Sequence, residues 1–197
     1  MRFVTAAAGV AAAAFLVTGG GLVAIAVASP PRSTPTRPSS AVDVGFSQDM
    51  AVHHGQALLM AQEALSRSRN ADVVGLARTI VVAQAEEQGE LRGWLVAWGA
   101  PQLPSGPPMT WMADAHMSGA MPGMATQAQL DRMSSLRGAA FDEMFLQLMV
   151  RHHEGGIAMA TYAMQHAQEA YVRAAATEMV VQQTQEISVM SALLRKV

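Results

Sequence analysis

Residues 145–160 read FLQLMVRHHEGGIAMA, and residues 46–61 repeat the pattern as FSQDMAVHHGQALLMA. Phe, Gln, Met, the His-His pair, a branched aliphatic, Met and Ala recur at a constant offset of 99. With no gap, the same offset carries Gln84 onto Gln183, Glu87 onto Glu186 and Leu95 onto Leu194. A gapless match between distant segments marks a duplicated helical hairpin. Two hairpins that each expose one apolar face bury those faces against each other, so the expected fold is an all-α four-helix bundle.

On a helix, residues three and four apart share a face. Phe46, Met50, His53, Ala57 and Met60 follow a 4-3-4-3 spacing, as do Phe145, Met149, His152, Gly156 and Met159. His53 and His152 are therefore expected to point inward. Each has a Met one turn before it and another two turns after. His54 and His153 lie about 100° further round, at the edge of the seam and within reach of a neighbouring helix. In the partner helices, Leu76, Ile80, Ala83, Glu87 and Trp94 trace a similar seam, matched by Ala175, Met179, Gln182, Glu186 and Leu193. Glu87 and Glu186 are thus also expected to face inward.

A buried imidazole needs its nitrogens satisfied, and a buried carboxylate needs a cation or a donor. One solution is a His–Glu hydrogen-bonded pair at the centre of the bundle. The other is a metal, held by neutral imidazole with Glu as ligand or supporting partner. Methionine alone adds little, being an ordinary core filler.

The punctuation divides the chain. Residues 1–28 carry Arg2 and then an apolar stretch ending in Ala26-Val27-Ala28. This reads as an export signal or an uncleaved N-terminal membrane anchor, about 20 apolar residues being enough to span a bilayer. Residues 29–42 form a Pro/Ser-rich linker, and 43–197 form the helical domain, with repeat halves 43–98 and 126–197. Asn70 is placed to cap a helix over about 71–98, which Gly99-Ala100-Pro101 stops. Thr126 with Gln129 resembles a capping box, and Gly138 is a candidate break in the helix that follows.

Composition narrows the function. Thirteen basic residues against fifteen acidic ones, with no basic stripe, argue against nucleic acid as a partner. The absence of cysteine excludes disulfides, thiolate zinc sites and iron–sulfur clusters. The connection 99–125 is too long for a turn and is rich in Met, Pro and Gly. Its Met109, Met112, His116, Met117, Met121 and Met124 stand where core filling explains methionine poorly. Thioether is a soft donor that selects Cu(I), and flexible thioethers can surround it without a rigid cage. The alternative is that these side chains cap an open end of the bundle.

The paired M-x-x-H-H-x-x-x-[LI]-x-M-A motifs, the Met121-Pro122-Gly123-Met124 run and the helix from Phe141 to Ala160 resemble the CopM-like family, domain of unknown function 305. The resemblance covers about residues 43–195. It implies a ferritin-like four-helix fold and export to the periplasm or cell surface. For some members it implies binding of copper, with silver as its mimic, in copper tolerance. Carried over position by position, it points to His53, His54, Met50, Met60, His152, His153, Met149 and Met159, with the Met/His loop fitting as well.

Three function classes follow. The first is an exported Cu(I)-binding protein for sequestration or transfer, with a metal-donating or metal-accepting protein as partner and no catalytic turnover. The second is a ferritin-like di-metal oxidase, which requires Glu-x-x-His on two helices, yet no Glu in this chain has a His three residues on. The third is a metal-free envelope bundle that binds a partner and uses its histidines as structural pairs or a pH switch. The first is the expected function.

Overall fold

The computed structural model describes the backbone of residues 13–18 and 21–26, together with residues 40–112 and 120–196. The chain divides into two units, 1–36 and 37–197. In the first, β1 (Ala13–Thr18) pairs antiparallel with β2 (Gly21–Ala26), Ala13 opposite Ala26 and Thr18 opposite Gly21. An uninterrupted apolar run has no periodicity that separates strand from helix, so its sequence alone does not choose between them. The rest of the expected signal or anchor, and residues 29–39 of the linker, lie outside the described residues. No helix among the described residues is long and apolar enough to cross a membrane.

The second unit is helical: α1 (Ala41–Arg67), α2 (Ala71–Trp98), α3 (Gln127–Ser135), α4 (Gly138–His166) and α5 (Ala170–Leu194). The caps explain the boundaries. Ser40 and Asp43 form a capping box that starts α1 two residues inside the expected linker. Asn70 caps α2 through Asp72 N and Val73 N, and Gly99 ends it at φ 66°. The Thr126–Gln129 capping box opens α3, Leu136 and Arg137 separate it from α4, and Gly138, at φ 58°, is the first residue of α4. Asp43 serves a second helix too, since its carboxylate accepts from the Gln168 and Glu169 N–H groups at the start of α5.

α1 packs on α2, α4 on α5, and the two hairpins meet through α1 and α4. The core falls into two clusters. One holds Phe46, Met50 and Ala51 of α1 with Met159, Ala160 and Ala163 of α4. The other holds Ala57, Met60 and Ala64 of α1 with Phe141, Phe145 and Met149 of α4. α1 and α4 therefore run antiparallel, and the stretches around residues 53–54 and 152–153 lie between the clusters. This is the all-α bundle of duplicated hairpins expected from the repeat.

The seam on α2 and α5 is shifted from expectation. Gln84 and Gln183 are buried, while Ala83 and Gln182 are only partly so, and Leu91 and Leu95 replace Trp94 in the core. The buried positions Val73, Gln84 and Leu95 recur every 11 residues, about 3.67 per turn, which is closer to the 3.6 of a straight helix than to the 3.5 of a supercoiled seam.

Candidate functional site: a histidine layer across the bundle

Polar side chains fill the gap between the two clusters. His53, His54 and His153 are fully buried and His152 is nearly so, with Gln84, Gln183 and Glu186 buried beside them. His54 and His153, at the edge of the seam, each reach a neighbouring helix, where Glu87 of α2 and Glu186 of α5 cover them. The four rings form a row, with His53 and His152 at its centre and ring centroids 3.8 Å apart. His54 stands 6.5 Å from His53 at one end, and His153 stands 6.2 Å from His152 at the other.

Three of the four rings are oriented by an oxygen hydrogen-bonded at Nε2. His53 Nε2 donates to the Pro122 carbonyl at 3.0 Å, and His152 Nε2 donates to the His53 carbonyl at 3.0 Å. A carbonyl only accepts, so both central imidazoles carry their proton on Nε2. His153 Nε2 is hydrogen-bonded to Glu186 Oε2 at 2.6 Å. His54 Nε2 lies 2.8 Å from Glu87 Oε2 but out of hydrogen-bond alignment, so the two repeats are not equivalent there.

Three of the four Nδ1 atoms are open. Nδ1 of His53, His54 and His153 is buried without a hydrogen-bond partner, as are Glu186 Oε1, Gln84 Oε1 and both amide atoms of Gln183. Burial, reinforced by the neighbouring imidazoles, lowers the His53 pKa to about 3 and holds that of His152 well below its usual value. The central pair is thus neutral at physiological pH. A neutral ring whose Nε2–H is held by an oxygen and whose Nδ1 lone pair is free has the donor set of a metal-ligating histidine. Among the described residues, however, no three His, Asp or Glu side chains converge into a metal-binding cluster. Any further ligand must come from another donor type or from side-chain rearrangement.

Thioethers flank the layer. Met50 and Met159 are fully buried in one cluster, Met60 and Met149 in the other, so each side has one Met from each repeat. In the connection, Met109 and Trp111 are buried in the first cluster, and Met112 and Met121 pack against it. Met124 is half-buried. Residues 113–119, with His116 and Met117, lie outside the described residues.

The connection is fastened over α1 and α4. Asp49 Oδ2 accepts from Met109 N at 2.7 Å and Trp111 Nε1 at 2.8 Å. The Gln56 amide bonds both the N–H and the carbonyl of Ala125. Glycine makes the close approach possible: a Cβ at Gly155 would fall on the Pro122 carbonyl, and one at Gly123 on the Arg151 carbonyl. Gly156 likewise leaves the space that the Gln183 amide occupies. Sequence reasoning missed Asp49, Gln56, Gln84, Gln183 and Gly155 as parts of the site. The matched pair Gln84/Gln183 was the available signal.

The fold and this layer define a class: a bundle of duplicated hairpins with a buried His/Glu/Gln belt. Residues 43–194 match the family model "Domain of unknown function (DUF305)", and the chain belongs to that family. A DUF305 protein of Streptomyces coelicolor, named as a candidate secreted protein, has a crystal structure that matches at TM-score 0.74 with 38% identity. The match covers 79% of this chain and 93% of that one. A DUF305 fragment from Deinococcus radiodurans matches at TM-score 0.70 with 33% identity, over 82% of this chain and 100% of that one. CopM in its Cu(I)-bound form shares the fold at TM-score 0.63 and 23% identity, over 78% of this chain and 96% of that one. No curated protein matches the chain.

Proposed function

We propose that this protein is an exported metal-binding protein that takes Cu(I), and Ag(I) as its mimic, for sequestration or transfer to a partner protein, without catalytic turnover. The observation that carries the reading is the set of buried, unpartnered Nδ1 atoms on imidazoles already oriented through Nε2. An empty lone pair in a dry site costs free energy unless something occupies it. The methionines on either side add soft donors that favour Cu(I) over harder ions. CopM, which shares the fold, is known in Cu(I)-, Cu(II)- and Ag-bound forms, which supports the choice of metal. The candidate name of the Streptomyces relative supports export.

His53, His54, His152 and His153 would hold the metal with Met50, Met60, Met149 and Met159. Glu186 orients the His153 ring through its hydrogen bond, and Glu87 lies against His54 as a supporting carboxylate. Met121, Met124, His116 and Met117 of the connection form a second set of donors. A competition titration against a Cu(I) chelator tests this, on the wild type and on a His53/His54/His152/His153→Ala variant checked for helicity. Wild-type uptake that the variant loses is expected. No Cu(I) or Ag(I) uptake by the wild type would leave the metal-free bundle, which the existing His–Glu contacts favour. Uptake unchanged in the variant would move the site to the connection.

A further inference from the structure

We infer that the groove between α2 and α5 is the route by which a soft monovalent cation enters the histidine layer, collected by Glu86, Glu90 and Glu178 and passed inward by Glu87 and Glu186. The inference rests on the function proposed above and adds the path of entry.

The two faces of the layer differ. On the α1/α4 side, the connection closes over the histidines, with the Pro122 carbonyl on His53 and the Gln56–Ala125 bonds beside it. On the other side, α2 and α5 stand apart around two adjoining cavities of about 800 and 1160 Å³. Apart from Lys196, just past the end of α5, all the lining residues come from those two helices, and Thr79, Glu178 and Gln182 belong to both cavities.

Charge and burial then give the groove a direction. In the first cavity, Glu86, Glu87, Glu90 and Glu178 face a single guanidinium, that of Arg78. Partial burial, then Glu178 and Glu87, push the Glu90 carboxyl above its usual range, as expected where carboxylates outnumber the one guanidinium beside them. Glu87 lines the cavity and also touches His54. Glu186 lines the second cavity, and its side chain is only 8% exposed. Its Oε2 is bonded to His153 while its Oε1 is buried without a partner. The groove therefore descends from exposed carboxylates to carboxylates in contact with the imidazoles. Acidic residues outnumber basic ones in both cavities, four to Arg78 in the first and Asp72, Glu178 and Glu186 to Lys196 in the second, and such an excess of one sign concentrates counter-ions and speeds their capture.

The test is the rate of Ag(I) uptake from silver nitrate, followed by stopped flow against a metal indicator over a range of nitrate concentrations. A Glu86→Gln/Glu90→Gln/Glu178→Gln variant is expected to load about tenfold more slowly at low ionic strength, with a flattened salt dependence and unchanged stoichiometry. An Asp131→Asn/Glu143→Gln/Glu154→Gln variant removes equal charge elsewhere and is expected to load at the wild-type rate. Equal rates in the groove variant and the wild type, or equal slowing in both variants, would overturn the route and leave the binding function standing. No Ag(I) uptake by the wild type would overturn both. Removing crowded carboxylates does not threaten folding, and the thermal midpoint of each variant checks this.

Discussion

The imidazoles of His53 and His152 lie face to face, centroids 3.8 Å apart and tilted by 33°, at the centre of a bundle that excludes water from both. Neither ring can take a second proton without bringing an uncompensated charge into the core beside the other.

That arrangement fixes a pH dependence. The folded pKa of His53 is about 3 and that of His152 is also lowered, while an unfolded histidine titrates near ~6.5. Below that value the unfolded chain binds more protons than the folded one, so stability falls as pH drops from about 6.5 towards 3. The slope is roughly 1.4 kcal/mol per pH unit for each histidine. Urea midpoints of the apo protein across this range measure it, and a His53→Gln/His152→Gln variant is expected to lose most of the slope.

The outer pairs are not equal. Glu186 is more buried than Glu87 and is hydrogen-bonded to its histidine. His153→Ala leaves that carboxylate buried and unpaired, at a cost of about 3–5 kcal/mol. His54→Ala leaves a more accessible carboxylate and costs less. Chemical denaturation of the two variants under one buffer checks the order.

Gly155 is the tightest point of the fastening. Gly155→Ala places a methyl on the Pro122 carbonyl, displaces the 121–124 turn and breaks the His53 hydrogen bond, costing roughly 2–3 kcal/mol. Gly89→Ala is the control, because its Cβ meets nothing within 4 Å. Gly89 lies inside α2, where Ala raises stability by about 0.5–1 kcal/mol.

Asp49 holds the far end of the same connection. Asp49→Ala strands the Met109 and Trp111 donors, and about 2–4 kcal/mol is lost. In a Trp94→Phe/Trp98→Phe background, the emission of Trp111 is expected to shift to the red as the indole leaves its buried site.

The methionines can be separated from the packing they provide. Met50→Leu/Met159→Leu conserves volume, so stability changes by less than about 1.5 kcal/mol per site. Cu(I) affinity is expected to fall at least tenfold, because only the soft donor has gone. Chelator competition reads the difference.

The duplication was legible because the repeats keep side-chain identity over a whole hairpin. Once His53 and His152 fell on one seam, the antiparallel core followed. The α2/α5 seam was misplaced by one residue, since Ala83 and Gln84 both satisfy a local helical pattern and only the observed burial distinguishes them. The fastening of the connection was not legible at all. Asp49 aligns with Leu148, so the repeat gives no hint of its role, and its partners lie 60 and 62 residues away in sequence. Nor does Gly155 announce that a carbonyl from the connection rests against it.

The polar belt also acts as an alignment key. Two alanine- and methionine-rich helices could slide along one another by a turn, about 5.4 Å, with little change in apolar contact. In such a slipped bundle, His53 would face Met149 or Gly156 and each glutamate would miss its imidazole. The residues that give up apolar packing at the middle of this core therefore leave only one way for its halves to meet.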